Sequence, residues 1–482
     1  MDNGSPQVSL RPMPISLTSW GAAQQVTGSM HLLELGDGFK ILVDCGLEMG
    51  PKVQETGLGF DPTSVNLVFL THAHMDHCGR LPELVREGYK GDILCTEPTM
   101  ELSAVLLKDS AMLQAKRLAN DLHGKAKGRK KGDQAFRKLA HRLEQDAEHC
   151  LRLFHPLRPE KTYRIRQNVA LTLYPCSHLL GAVSVVFEIK EGDQTLHVGF
   201  SGDLGRFNYP GLPDPKPMPE VDYLVCESTY GGVNHQESRK PTVVVEEFIR
   251  QALEVEGGRL IVPAFSVGRT QAFLLVLQQL YEDGKLPHDV PVYVDSPMAI
   301  LSTEIYRQME DWLGRDALNM ISMYGDVFSF ERLRFVQNIG QSRKIAADYR
   351  PSILISASGM LEGGRIHTHL KEQLQNSRAS ILFIGYMAEG SLGRKLADGE
   401  KYLTVDGRTV EVRAKLCYTD VFSGHADHNG LMRFVSQTPT SRLRRVFLVH
   451  GEPDRMEALA DALEDQGYQV TLPIKGKTYV LD

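Results

Sequence analysis

Short apolar runs punctuate the first half of the chain, and the residues at which they stop share a chemistry. Ile41-Leu42-Val43 stops at Asp44, and Asn66-Leu67-Val68-Phe69-Leu70 stops at Thr71-His72-Ala73-His74. Val169 to Tyr174 runs into Pro175-Cys176-Ser177-His178, and Leu196-His197-Val198-Gly199-Phe200 into Ser201-Gly202-Asp203. Tyr223-Leu224-Val225-Cys226 ends at Glu227, and Arg445-Val446-Phe447-Leu448-Val449 at His450. Runs of this length and β-branched content predict buried strands. Six polar, titratable or metal-competent positions therefore sit at strand ends. Side chains there can converge on one sheet edge, where sites in layered folds commonly lie.

A second alternation fills the stretch between Glu227 and His425. Arg259 to Pro263, Pro291 to Asp295, Ser352 to Ile355 and Ser380 to Ile384 predict strands, and Gln271 to Asp283 a helix. Strand–loop–helix repeats of this kind predict a parallel sheet covered by helices. No long Pro/Gly/Ser linker and no internal repeat interrupts the chain. His450 must reach a site built from residues before 204, so the chain is expected to leave one domain and return to it. Residues 1–230 and 400–482 fold together in this reading, and residues 231–399 form an inserted lid.

Composition narrows the class. The chain has 482 residues, 42% hydrophobic and 24% charged, which fits a globular protein and excludes a mostly disordered one. No apolar run reaches the roughly 18 residues of a membrane helix, and Met1 to Trp20 lacks the pattern of a secretory signal. The 54 Lys+Arg against 60 Asp+Glu exclude a wholly basic nucleic-acid binder but not a local basic groove. The seven cysteines (45, 78, 95, 150, 176, 226 and 417) form no Cys-x-x-Cys, so neither a disulfide framework nor a cysteine zinc cluster is expected. A reducing cytoplasm is the expected compartment, with no membrane partner.

His72-Ala73-His74-Met75-Asp76-His77 is the strongest single motif. In an extended stretch residues i and i+2 point to the same side, so His72 and His74 can pinch one ion. Asp76 and His77 begin the next element and can reach a second ion. Imidazole and carboxylate together suit Zn²⁺, with Mn²⁺ or Fe as substitutes. Asp203, ending a buried strand, has two oxygens with which to bridge a pair of ions.

These residues closely resemble the metallo-β-lactamase superfamily, and within it the β-CASP nucleases that process RNA. The resemblance rests on Gly21 to Ser29 with the strand ending at Asp44, the His-x-His-x-Asp-His run, Ser177 to Ala182, and Phe200 to Arg206. Three later motifs mark the β-CASP group: Glu227-Ser228-Thr229-Tyr230-Gly231, Phe422-Ser423-Gly424-His425-Ala426-Asp427 and Leu448-Val449-His450-Gly451-Glu452. The resemblance implies an αββα sandwich carrying an inserted parallel α/β domain. It implies two zinc ions, one held by His72, His74, His178 and Asp203, the other by Asp76, His77, Asp203 and His450. Asp44 would organise the ligand loop. His425, oriented by Glu227, would protonate the leaving oxygen. Histidine at position 450 points to RNA, since DNA-directed relatives carry an apolar residue there. The implied activity is a zinc-dependent ribonuclease, with another hydrolase of the same fold or a non-catalytic RNA-processing scaffold as the competing readings. A homo-oligomer is compatible with all of them.

Substrate contacts are expected from Arg269 and from the loop Ser356-Ala357-Ser358-Gly359-Met360 with Arg365, because a strand running into small residues offers free N–H groups to phosphate. The segment Lys116 to Lys138 carries nine Lys or Arg against Asp121 and Asp133. Its centre, Gly124 to Gly132, has low helix propensity. It reads either as an RNA-gathering arm or as a solvated helical excursion.

Overall fold

The computed structural model describes residues 14–50, 57–123, 129–254, 257–385, 387 and 390–482, without the side chains of 120–123, 129–133 and 135. Two seven-stranded sheets stack face to face. The first runs, in spatial order, Thr478–Val480, Ser16–Gly21, Met30–Glu34, Lys40–Val43, Leu67–Phe69, Asp92–Thr96 and Phe154–Leu157. The second runs Val470–Thr471, Arg445–Val449, Tyr223–Glu227, Gln194–Phe200, Val183–Glu191, Val169–Pro175 and Thr162–Arg166. Alternate residues of both sheets fill the space between them: Leu33, Ile41 and Phe69 from one, Leu171, Phe187, Val198 and Phe447 from the other. Phe69 meets Phe187 edge to face with ring centres 6.1 Å apart. Burial of such rings and aliphatic chains, about 25 cal/mol per Å² of apolar surface, holds the sheets together. Helices cover the outer faces, as the resemblance implied.

A third sheet of six parallel strands lies beside the sandwich in the order Leu333–Phe335, Val292–Asp295, Ser352–Ser356, Arg259–Pro263, Ala379–Phe383 and Lys415–Tyr418. Its helix Arg269–Glu282 buries residues on every side, Phe273, Leu275 and Leu277 among them, because it is wedged between this sheet and the sandwich. The chain stays with this sheet beyond 399: Lys415–Tyr418 pairs in parallel with Ala379–Phe383, so the crossover back to the sandwich comes after Tyr418. Lys-Leu-Cys-Tyr is short and has no β-branched residue, which hides that edge strand in the sequence.

In the basic segment, part of the stretch of low helix propensity is helical. Glu97–His123 and Arg129–Leu151 are two long helices packed against each other, and Arg129 to Gly132 belong to the second. A packed neighbour stabilises a helix through the roughly 1 kcal/mol that a glycine such as Gly132 costs. Residues 124–128 lie outside the described residues. No helix among the described residues is long and apolar enough to cross a membrane.

Candidate active site

Strand register delivers the ligands. Val43 lies opposite Phe69, so Asp44 and Thr71 leave the first sheet side by side, and the Thr71 N–H donates to Asp44 Oδ1 at 2.8 Å. Glu227 pairs with Val449, which puts the strand end at Glu227 next to His450. Three of these exits are sharp: Asp44, Ser177 and His450 have φ of 61°, 64° and 54°, a left-handed conformation uncommon outside glycine. Two glycines admit the close backbone approaches behind them. A Cβ on Gly46 would sit 1.6 Å from the carbonyl oxygen of Asp76, and one on Gly205 1.9 Å from that of Ser177.

The expected metal residues converge in two groups, His72, His74, His178 and Asp203 in one and Asp76, His77 and His450 in the other. In the first, His74 Nδ1 is 3.1 Å from His72 Nε2 and 3.0 Å from His178 Nε2. Asp203 Oδ2 lies 3.5 and 3.4 Å from those two Nε2 atoms. In the second, His77 Nε2 is 3.3 Å from His450 Nε2, which is 3.5 Å from Asp76 Oδ2. Asp203 Oδ1 turns toward this group, 3.2 Å from His77 and 3.5 Å from His450. The two oxygens of one carboxylate thus face two clusters.

The atoms pointing inward are bare. Thr71 Oγ1 donates to Asp44 Oδ2 at 3.0 Å, so it accepts from His72 Nδ1, 3.1 Å away. His178 Nδ1 donates to the Gly424 carbonyl at 2.8 Å and His77 Nδ1 to Asp44 Oδ2 at 2.7 Å. Thr229 Oγ1 donates to the His450 carbonyl and accepts from His450 Nδ1, both at 3.0 Å. Each outer ring nitrogen being a donor, each Nε2 presents a lone pair to the centre when its ring is neutral. Lone pairs facing each other at these distances repel, and Asp203 Oδ1 is buried without a well-directed hydrogen bond. A cation removes both defects. The edge of a tetrahedron with bonds of about 2.0–2.1 Å is roughly 3.3–3.4 Å, close to the spacings found. The donor set therefore fits a transition-metal ion.

Electrostatics follow from the same burial. Desolvation and neighbouring imidazoles hold His72 and His178 well below the ordinary histidine range, and desolvation lowers His74 to about 4. These three are neutral, the form that binds metal. Burial also opposes charge on His77, but the carboxylates of Asp203 and Asp44 outweigh it and raise that imidazole well above its usual range. The ion must displace the His77 proton to bind.

His425 stands at the rim, its ring centre 4.6 Å from that of His178. Its Nδ1 donates to Glu227 Oε1 at 3.0 Å across 198 residues of sequence. Glu227 is buried and fixed further by the N–H groups of Leu204 at 2.7 Å and Thr229 at 3.1 Å. His425 Nε2 has no hydrogen-bond partner among the described residues, and the side chain is 17% exposed.

The expected substrate contacts divide. Arg269 lies over Phe265 with its guanidinium packed on Gly385, within electrostatic reach of Tyr209 and Tyr230, and forms no ion pair among the described residues. Arg365 is committed elsewhere. It bonds Asp295 Oδ1 at 2.7 Å and the carbonyls of Val336 and Gln337, because buried Asp295 requires a counter-charge. Ser356 is buried and donates to the Asp295 carbonyl, and Ser358 Oγ accepts from the N–H of Glu362. Gly359 packs against Phe265. Arg365 and Ser356 thus both bond to Asp295 in this structure. All seven cysteines are buried and free, and none joins a metal group among the described residues.

Sequence reasoning missed Thr71 and Thr229, which orient ligands from behind. Their signal was present, a hydroxyl residue adjoining a ligand or acidic motif, but threonine in a strand is too common to single out. Thr229→Val is expected to weaken metal binding about 10- to 100-fold by freeing the His450 ring, the usual cost of losing such a partner. Titration against a competing chelator checks it, and an unchanged affinity would remove Thr229 from the support of His450.

Comparison with known proteins gives the family. Residues 24–229 match the metallo-β-lactamase superfamily, 270–396 the Beta-Casp domain, and 409–473 the Zn-dependent metallo-hydrolase RNA specificity domain. Ribonuclease TTHA0252 of Thermus thermophilus is 32% identical over 458 residues, covering 95% of this chain and 97% of that one. An RNase J-like protein of Methanocaldococcus jannaschii is 29% identical over 452 residues, covering 92% and 93%. Transcription termination factor FttA of Methanococcus maripaludis is 30% identical over 458 residues, covering 92% of this chain and 68% of its own. With the sandwich, the inserted parallel sheet and the full-length match together, the chain belongs to the β-CASP family of the metallo-β-lactamase superfamily.

Proposed function

We propose that the chain hydrolyses phosphodiester bonds of RNA with two zinc ions. The observation that carries the proposal is one carboxylate, Asp203, facing two imidazole clusters, with the His425–Glu227 pair beside them. Support for RNA comes from the matched RNA specificity domain and from relatives named as ribonucleases. In this reading His72, His74, His178 and Asp203 hold one ion, and Asp76, His77, His450 and Asp203 the other. When bound, the ions supply Lewis acidity toward the phosphodiester and its attacking water.

The chain's own residues supply the rest. Asp44 and Thr71 engage the Nδ1 atoms of His77 and His72 and so turn their Nε2 atoms to the centre. His425 carries the proton for the leaving sugar oxygen on Nε2, the nitrogen left free when Nδ1 is bonded to Glu227. Glu227 keeps the ring oriented by accepting from its Nδ1. Arg269 supplies positive charge to the incoming phosphate from the inserted domain.

The test is digestion of a 5′-labelled and a 3′-labelled RNA side by side, with elemental analysis of the same sample. About two zinc per chain and cleavage lost to chelator are expected. Metal retention should fall on acidification, because protons compete for the same ring nitrogens, His77 foremost. Full RNA cleavage by a metal-free sample would overturn the reading, and so would hydrolysis of thioesters or lactones by a zinc-loaded sample inert toward RNA.

A further inference from the structure

We propose that the packed helices Glu97–His123 and Arg129–Leu151, through Lys116, Arg117, Arg137, Lys138 and Arg142, form a second RNA-binding surface, which holds single-stranded RNA by its phosphates away from the cleavage centre. The inference rests on the RNA reading above and adds to it a surface the chemistry does not use.

The hairpin is anchored next to the site. Thr96 and Thr99 donate through Oγ1 to the carbonyl of Gly181, at 2.6 and 3.1 Å, three residues from His178. Leu102 packs in the same core as Leu179, and the helix also lies against Pro297–Gln308 of the inserted domain. Farther out, the two helices are held by a small cluster of their own, Ala111, Ala115, Ala140 and Leu143 with Phe136 and Leu139. Small residues at the contact let the helices approach closely and leave the long side chains outside. Lys116 lies about 25 Å along the axis from Thr99, at 1.5 Å per residue.

That outer half is basic. Lys116, Arg117, Arg137, Lys138 and Arg142 are exposed, and none forms an ion pair among the described residues. Asp109 is the carboxylate under the influence of Lys116. Residues 116–138 carry nine of the chain's 54 basic residues and two of its 60 acidic ones, which leaves 45 against 58 elsewhere. A polyanion approaching the acidic remainder is repelled, whereas unpaired cations on a projecting arm attract it from a distance. Among the described residues the exposed large apolar side chains here are Met112, Leu113 and Leu118, none of them aromatic. Contact is therefore with phosphates and indifferent to sequence.

The experiment compares the full chain with a variant carrying Lys116→Gln, Arg117→Gln, Arg137→Gln and Lys138→Gln. Glutamine keeps helix propensity and removes only charge. Binding of two unrelated labelled RNAs is read by fluorescence anisotropy across a salt series, and hydrolysis of a nitrophenyl phosphodiester, too small to reach the hairpin, is measured in parallel. If all four cations touch phosphate, the slope of log affinity against log salt falls by about 3, since each contact contributes about 0.7 for a single strand. Affinity at low salt should fall at least tenfold for both RNAs, with the small diester hydrolysed as before. Arg137→Gln with Lys138→Gln alone should give about half the slope change, which guards against a misfolded fourfold variant. RNA binding with unchanged affinity and slope overturns the hairpin assignment and leaves the ribonuclease reading standing. A loss confined to an acidic peptide, with RNA unaffected, gives the surface to a protein partner instead. Wild-type chain that neither binds nor cleaves RNA overturns both.

Discussion

Asp203→Asn is expected to lower RNA cleavage by roughly 10³ or more and to weaken both metal groups at once. Asparagine has nearly the same shape but no charge, and only one of its terminal atoms can accept from a cation. The carboxylate faces His72 and His178 with one oxygen and His77 and His450 with the other. Metal ions are worth several kcal/mol of transition-state stabilisation, and each 1.36 kcal/mol is tenfold in rate. Asp76→Asn is the control, because Asp76 belongs to the second group alone. Chelator titration of the two variants separates the cases. Loss of a single metal equivalent from Asp203→Asn would mean that the carboxylate serves one ion and does not bridge.

His425→Ala should cost about 10²–10⁴ in kcat on RNA, the range for removing one acid–base group, with metal content and RNA affinity nearly unchanged. Its side chain is bonded to Glu227 and not to either metal group, so removal leaves the ligands in place. The loss should shrink on a nitrophenyl phosphodiester, whose leaving group departs without a proton. Glu227→Gln should be a milder lesion of the same kind, because the amide oxygen still accepts from His425 Nδ1 but holds the ring less firmly than a carboxylate. Equal slowing of both substrates, or loss of a metal ion, would make His425 a ligand or a structural residue.

Much of this site is visible in the residues themselves because its parts obey local rules. Strands end where an apolar run meets Asp44, His72, His178, Asp203, Glu227 or His450, and the alternation of an extended chain puts His72 and His74 on one side. The edge strand Lys415–Tyr418 obeys no such rule. With one fully buried residue of four it lacks a pattern, and its identity comes from pairing with Ala379–Phe383. Arg365 has a partner that no local rule reveals. A glycine-rich loop with an arginine looks like a phosphate cradle, yet the fold sets it against a buried carboxylate 70 residues away.

The candidate residues can be picked from the sequence, since side-chain type and strand-end position are local properties, and family resemblance supplied their grouping. Tertiary structure alone decided how they act together. It turned the two oxygens of Asp203 to two clusters, set Thr71, Thr229 and the Gly424 carbonyl behind the ligand rings, and brought His425 within 3.0 Å of Glu227. Each of these depends on contacts between residues far apart in the chain, made when the two sheets bury their apolar faces against each other. No local pattern encodes that packing, because a side chain's partners are chosen by the whole core and not by its neighbours in sequence.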